Sequence, residues 1–213
     1  MKNGGKNDMK SAIKILDSKK EYRAELIKLL PSDEVEKLWR KAASRLNSML
    51  EKYESLPKGV HAHTDEKIFP AAAMYITAKE FMTEEQAFSV IENAAIAICE
   101  KGRRSVSKMV RMPFGATLFI KMWDPMTKKN FGSKSGFKNK FYPKEKGAYR
   151  MDVLECPYRR YLTEIGCPEL TRIFCENDER VYGSIPGLVF ERKGTLGKGA
   201  DRCDFYIRKA DRK

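Results

Sequence analysis

Three cysteines in the last quarter of the chain each stand beside an acid: Glu155-Cys156, Cys175-Glu176 and Cys203-Asp204. Thiols and carboxylates together offer two chemistries. A thiolate is a nucleophile that can form a covalent intermediate, and thiolates can also bind a soft divalent metal. Cys156 directly precedes Pro157, a residue suited to the first position of a helix. Its sulfur would meet the positive end of the helix macrodipole, with Arg159 and Arg160 in the next turn, and both effects favour thiolate. Cys175 stands among Glu176, Asp178 and Glu179, where like charge disfavours a second anion, so it is expected to stay a thiol unless a cation approaches. Asp178 lies at i+3 from Cys175 and shares its helical face. That pair suits a metal or an amidinium-like substrate. Alternation around Cys203 sends Cys203 and Phe205 to one face of a strand and Asp204 to the other.

Burial is the competing reading, because cysteine is among the most buried residue types. It prevails for Cys99 and Cys167, and stands level with a site for Cys156, Cys175 and Cys203. The cysteine intervals match no zinc knuckle and no C-x-x-C occurs, so no metal ligand is assigned and no cofactor is named. His61-x-His63 is a weak ligand hint, and histidines in such a polar loop are expected to be solvated.

The elements that must position these groups read as follows. Residues 1–10 form a Gly- and Lys-rich tail. Helical spacing runs from Met9 to Leu30 and stops at Pro31. Ser32 is the expected cap of a helix reaching about Tyr53, and Pro57-Lys58-Gly59 breaks the pattern. IFPAAAMYITAKEFM carries a close-packing face, Thr83 to Gln86 is a capping-box start, and Gly102 is the expected end of that helix. Residues 105–127 divide into two helices around Pro113 and Gly115, stopped by Asp124-Pro125. A basic loop then leads to an edge strand near Phe137–Tyr142, and Ala148 to Cys156 is a strand. Two short helices follow, Pro157 to Gly166 and Pro168 to about Tyr182. Leu188–Lys193 and Arg202–Arg208 pair as antiparallel strands across TLGKGA. The whole is expected to be α+β: a helical region over residues 1–127, then a ββααββ-like region over 128–213, packed together.

Net charge is +13 over 213 residues, which favours anionic partners such as a small-molecule carboxylate. The densest basic block, Lys128 to Lys146, carries Phe137, Phe141 and Tyr142, yet no nucleic-acid-binding signature accompanies it. A solvated surface is the favoured reading of that block, ahead of nucleic-acid binding. No apolar run approaches the roughly 20 residues that span a bilayer. With an odd cysteine count and no signal-peptide pattern, the expected compartment is the cytoplasm. Oligomeric state is not legible.

Residues 150–208 resemble the L-2-amino-thiazoline-4-carboxylic acid hydrolase family. The resemblance rests on Cys156-Pro157-Tyr158, Gly166 with Pro168-Glu169-Leu170, Phe174-Cys175 with Asp178, Thr195-Leu196, Gly199 and Cys203-Asp204-Phe205. It extends more loosely to about residue 60 through IFPAAAMYITAKEF and TEEQAF. Cys167 and the strongly basic Lys128–Lys146 block depart from the expected pattern. The family name implies hydrolysis of a cyclic isothiourea acid to a carbamoyl-cysteine. The residues expected to carry that chemistry are Cys156, the favoured nucleophile, with Cys175 and Asp178. Arg192 and Arg202 are candidates to hold the substrate carboxylate, and Cys203 and Asp204 complete the candidate binding set. The competing class is a non-catalytic small-molecule or metal sensor built on the same cysteines.

Overall fold

The computed structural model describes residues 4–211. Residues 1–3 of the expected tail lie outside them. Helix α1 (Gly4–Asp17) and helix α2 (Lys20–Leu26) take the place of the single helix expected up to Pro31. The break falls at Ser18, whose hydroxyl donates to the Ile15 carbonyl at 2.6 Å. It leaves Asp17 to accept the Trp39 indole N–H at 3.0 Å. Helix α3 (Ser32–Lys52) buries Val35, Leu38, Trp39, Ala42 and Leu46 on one face, as the spacing predicts. Its cap is Pro31, and Ser32 is the first helical residue rather than the cap.

Helix α4 (Lys58–His63) begins at the Pro57 break and widens into a π-type turn at Thr64–Ile68, which runs into helix α5 (Phe69–Ala78). α5 is buried on nearly every side, from Phe69 to Tyr75 and at Ala78. An all-round apolar sequence requires such a central position. Helix α6 (Glu84–Val110) opens with the expected capping box: Gln86 N–H donates to Thr83 Oγ1 at 3.3 Å, and Thr83 N–H donates to Gln86 Oε1 at 3.1 Å. It does not end at Gly102. A Cβ there would lie 3.7 Å from Val181, so the helix continues through a glycine at an intimate helix–helix contact. Packing outweighs the local cost of glycine.

Helix α7 (Gly115–Asn130) follows a turn in which Phe114 has φ +59°. It runs straight through Asp124-Pro125, where a stop was expected. Phe119, Ile120, Trp123 and Thr127 face inward, while Pro125 lies on the exposed side, where water can reach the carbonyl it leaves unbonded. Thr127 Oγ1 donates to the Trp123 carbonyl at 2.8 Å and steadies that turn.

The sheet is antiparallel throughout. Strands β1 (Lys138–Phe141), β2 (Ala148–Glu155), β3 (Leu188–Glu191) and β4 (Cys203–Lys209) lie in the order β1-β2-β4-β3. Helices α8 (Pro157–Ile165) and α9 (Leu170–Tyr182) connect β2 to β3, and α8 closes at Gly166 with φ +89°. The fold is α+β, with the expected ββααββ order in its second half. Register sets Val153 opposite Cys203 and Met151 opposite Phe205, so one sheet face presents all four toward the helices. Leu16, Tyr75 and Ile91 from the helical part and Tyr149, Leu162, Ile173 and Ile207 from the later part belong to one buried cluster. Among the described residues, no helix is long and apolar enough to cross a membrane.

Gly102 supplies a test of the long α6. Because it is helical and a methyl there meets only ordinary contact, Gly102→Ala should stabilise the protein by about 1 kcal/mol in denaturant unfolding. A destabilised variant would mean that residue 102 ends the helix in a left-handed conformation.

Candidate functional site

Three elements meet around one cavity of about 390 Å3. β2 ends at Cys156, which occupies the N-cap of α8. α9 carries Cys175 and Asp178 on one face, as i+3 spacing requires. The β3–β4 connection brings Arg192, a short 3-10 turn at Leu196–Lys198, and Cys203 at the start of β4. Cys156, Cys175, Asp178, Arg192, Cys203 and Phe205 all border the cavity. Five of the seven candidate residues are therefore brought together.

Arg202 and Asp204 are not. Arg202 is about half exposed and pairs with Asp152 at 3.5 Å and Asp201 at 3.1 Å, away from the cavity. Asp204 lies on the opposite strand face, as alternation demands. Its carboxylate accepts the backbone N–H of Gly194 at 2.8 Å and of Lys193 at 3.0 Å, and so closes the hairpin connection. Arg192 borders the cavity but is not a free fork for a carboxylate. Its side chain is 4% exposed and donates to Asp178 Oδ2 at 3.1 Å and to the Cys175 carbonyl at 2.7 Å.

The electrostatics of the two leading cysteines are the reverse of the sequence expectation. Burial pushes the Cys156 thiol up to about 11, against a smaller downward pull from the Arg159 and Tyr158 backbone N–H groups. Arg159 and Arg160 are exposed, on the water-facing side of an amphipathic helix, and supply no counter-charge. Cys175, expected to stay a thiol, is lowered to about 6. The facing Cys203 thiol is the largest cause; the Gly197 backbone N–H, the Thr195 hydroxyl and the Arg192 charge add to it and together outweigh burial. Cys203 itself is driven far up by the same contact, and its sulfur accepts the Leu196 backbone N–H at 3.2 Å. The acids beside Cys175 are turned elsewhere. Glu176 pairs with Arg180 at 2.9 Å and Lys198 at 3.2 Å, while Glu179 points largely into solvent.

Gly197 and Thr195 lie against Cys175; the sequence reading counted Thr195 only among the residues of the family resemblance and gave Gly197 no part. A Cβ on Gly197 would sit 2.8 Å from Cys175 Sγ, so only glycine lets the backbone N–H come this close to the sulfur. Thr195 Oγ1 is buried with no hydrogen-bond partner among the described residues, and its hydroxyl is one of the groups that lower Cys175. Asp178 is raised to about 7 because protein surrounds it, although Arg192 pulls it down. Its side chain remains 37% exposed, open to the cavity that it borders.

The histidines also depart from expectation. His63 is buried in α4, not solvated in a loop. Its Nε2–H donates to the Asn130 carbonyl at 2.7 Å, which leaves Nδ1 to accept the Tyr158 hydroxyl at 3.0 Å, and burial holds the ring below its ordinary pKa. His61 pairs with Asp65 at 2.9 Å. Cys99 and Cys167 are buried, as expected. Among the described residues, no three His, Cys, Asp or Glu side chains are grouped to hold a metal ion.

The electrostatic arrangement is open to direct measurement. Iodoacetamide should label Cys175 before the other cysteines, with a rate that holds above pH ~7 and halves near pH 6 as the thiolate protonates. In Gly197→Ala the displaced N–H should move that midpoint upward. Preferential labelling of Cys156, or a Cys175 midpoint near that of a free thiol, would contradict the assignment.

No curated protein and no solved structure matched the chain. Residues 61–207 match the family described as L-2-amino-thiazoline-4-carboxylic acid hydrolase, in close agreement with the stretch over which the sequence resembles it. The match spans well over half of the chain and contains every cysteine that borders the cavity; the chain belongs to the L-2-amino-thiazoline-4-carboxylic acid hydrolase family.

Proposed function

We propose that the protein is a hydrolase that opens a cyclic isothiourea acid of the 2-amino-thiazoline-4-carboxylate type, with Cys175 as nucleophile and Asp178 as proton carrier. The observation that carries this reading is a stabilised thiolate and a raised carboxyl, one helical turn apart, facing the same cavity. Family membership supports the substrate type.

In this scheme the Cys175 thiolate attacks the carbon bonded to the ring sulfur and two nitrogens. A carbon–sulfur bond to the enzyme forms and the ring carbon–sulfur bond breaks. Asp178, which holds its proton near neutral pH, gives that proton to the departing ring sulfur. The resulting Asp178 carboxylate takes a proton from water as the oxygen attacks the enzyme-bound carbon, and collapse expels the Cys175 thiolate. The net change is the addition of one water, yielding a carbamoyl group on nitrogen and a free thiol. Cys203 and the Gly197 N–H stabilise Cys175 both as attacking group and as leaving group. Cys156, kept protonated by burial, lines the wall.

The rate should follow a narrow bell. kcat/KM falls below pH about 6, where Cys175 protonates, and again above about 7, where Asp178 has lost the proton it must donate. Cys175→Ser should abolish ring opening, and Asp178→Asn should lower kcat by about 10²–10⁴-fold. Cys156→Ser should stay within about tenfold of the parent, because its thiol is not the attacking group. Full activity in Cys175→Ser, with loss confined to Cys156→Ser, would transfer the nucleophile to Cys156.

A further inference from the structure

The reactive groups occupy only part of the cavity wall. Even at a full water volume of roughly 30 Å3 per atom, a bare ring acid of about nine non-hydrogen atoms would leave about a third of the 390 Å3 unfilled. Much of the remaining wall is apolar, built from Ile91 and Ala95 of α6 together with Phe131, Phe137 and Tyr158. Polar side chains also border the cavity, among them Glu66, Lys67, Thr127 and Asn177, and so does one indole. Trp123 borders the cavity, is 5% exposed, and its indole Nε1–H is buried with no acceptor among the described residues. A buried donor without a partner is rare in native structures and points to a ligand acceptor.

Its placement fits that role. Trp123 packs edge-on against Tyr182 at 4.7 Å, and Tyr182 lies one helical turn beyond Asp178. Lys67, carried by the π-type turn before α5, reaches the cavity rim and makes no ion pair among the described residues. Neither Arg192 nor Arg202 is free to receive a carboxylate, so the anion must be met elsewhere.

We propose that the substrate is a lipophilic carboxylic acid: its carboxylate accepts the Trp123 indole N–H and faces Lys67, and an apolar body larger than the bare ring fills the cavity between α6 and α7. The proposal rests on the hydrolase reading for the position of the reacting group at Cys175, and it names the substrate class.

Titration calorimetry on full-length Cys175→Ala protein with unbranched carboxylates from acetate to octanoate separates the two parts. Affinity should rise about fourfold per methylene until the cavity is full. Trp123→Phe should weaken every member by about fivefold, the loss of one hydrogen bond, and leave the dependence on length intact. Ala95→Trp should flatten the dependence on length by occupying the apolar space, while leaving exposed Phe114, Leu118 and Met122 untouched as sites of unspecific binding. Thermal unfolding of both variants verifies that they are folded. Affinity that is flat with chain length, or a rise that persists in Ala95→Trp, overturns the proposal. Ring opening of the bare acid by the unmodified protein is assayed separately. Turnover with a flat length series sinks this inference alone; a steep series without any ring opening supports the apolar acid site and sinks the hydrolase reading.

Discussion

The site depends on one buried guanidinium. Arg192 bridges the Asp178 carboxylate and the Cys175 carbonyl, and so fastens the middle of α9 to the β3–β4 connection. A buried arginine cannot shed its charge, so its surroundings must supply an anion and acceptors. Phe190 and Phe205 flank it with their rings at 5.6 and 5.4 Å, excluding water from its remaining surface. With Arg192 in place, the 3-10 turn at Leu196–Lys198 lies against α9, the Gly197 N–H reaches Cys175, and Cys203 faces the same sulfur. Without it, Asp178 would lose its ion-pair partner and the Cys175 carbonyl its side-chain donor.

That arrangement explains how two acids share one cation. Arg192 can balance one negative charge, and two groups compete to provide it. Cys175 receives two further donors and a facing thiol, whereas Asp178 receives the guanidinium and a weaker pull from Lys67 while protein surrounds it. Cys175 is therefore drawn toward thiolate, and its charge helps to hold the Asp178 carboxyl protonated. On the proposed reading, a nucleophile and a loaded proton donor thus favour each other's required state.

Much of the frame was legible from local signals. The capping box at Thr83, the strand at Ala148, the Pro157 and Gly166 limits of α8, and the shared face of Cys175 and Asp178 all follow from residue type at short range. Helix ends that packing overrides were not. Gly102 and Pro125 punctuate the sequence, yet α6 runs on past Val181 and α7 runs on to seat Trp123 and Thr127. The cysteine electrostatics failed for a related reason. Arg159, Arg160, Glu176 and Glu179 are neighbours in sequence but turn toward water or toward other ions. The groups that decide the charge on Cys175 come from residues 192–203, across a chain reversal that no local pattern encodes.

The same reasoning ranks the residues of the connecting loop. Asp204 looked chemical because it follows a cysteine, but its carboxylate takes two backbone N–H groups and fixes where the loop leaves β3. Gly194, one of those donors, and Gly197, three residues on, have unlike tasks: one receives the anchor, the other delivers an N–H to sulfur. The loop is thus held at one end by Asp204 and along its length by Arg192 and the Leu196 N–H on Cys203. An N–H held from both sides does not reorganise as charge moves on and off the Cys175 sulfur, which is the condition for a fixed dipole to lower a reaction barrier. On the proposed reading, the reactivity of Cys175 therefore resides less in the thiol itself than in the rigidity of the turn that faces it.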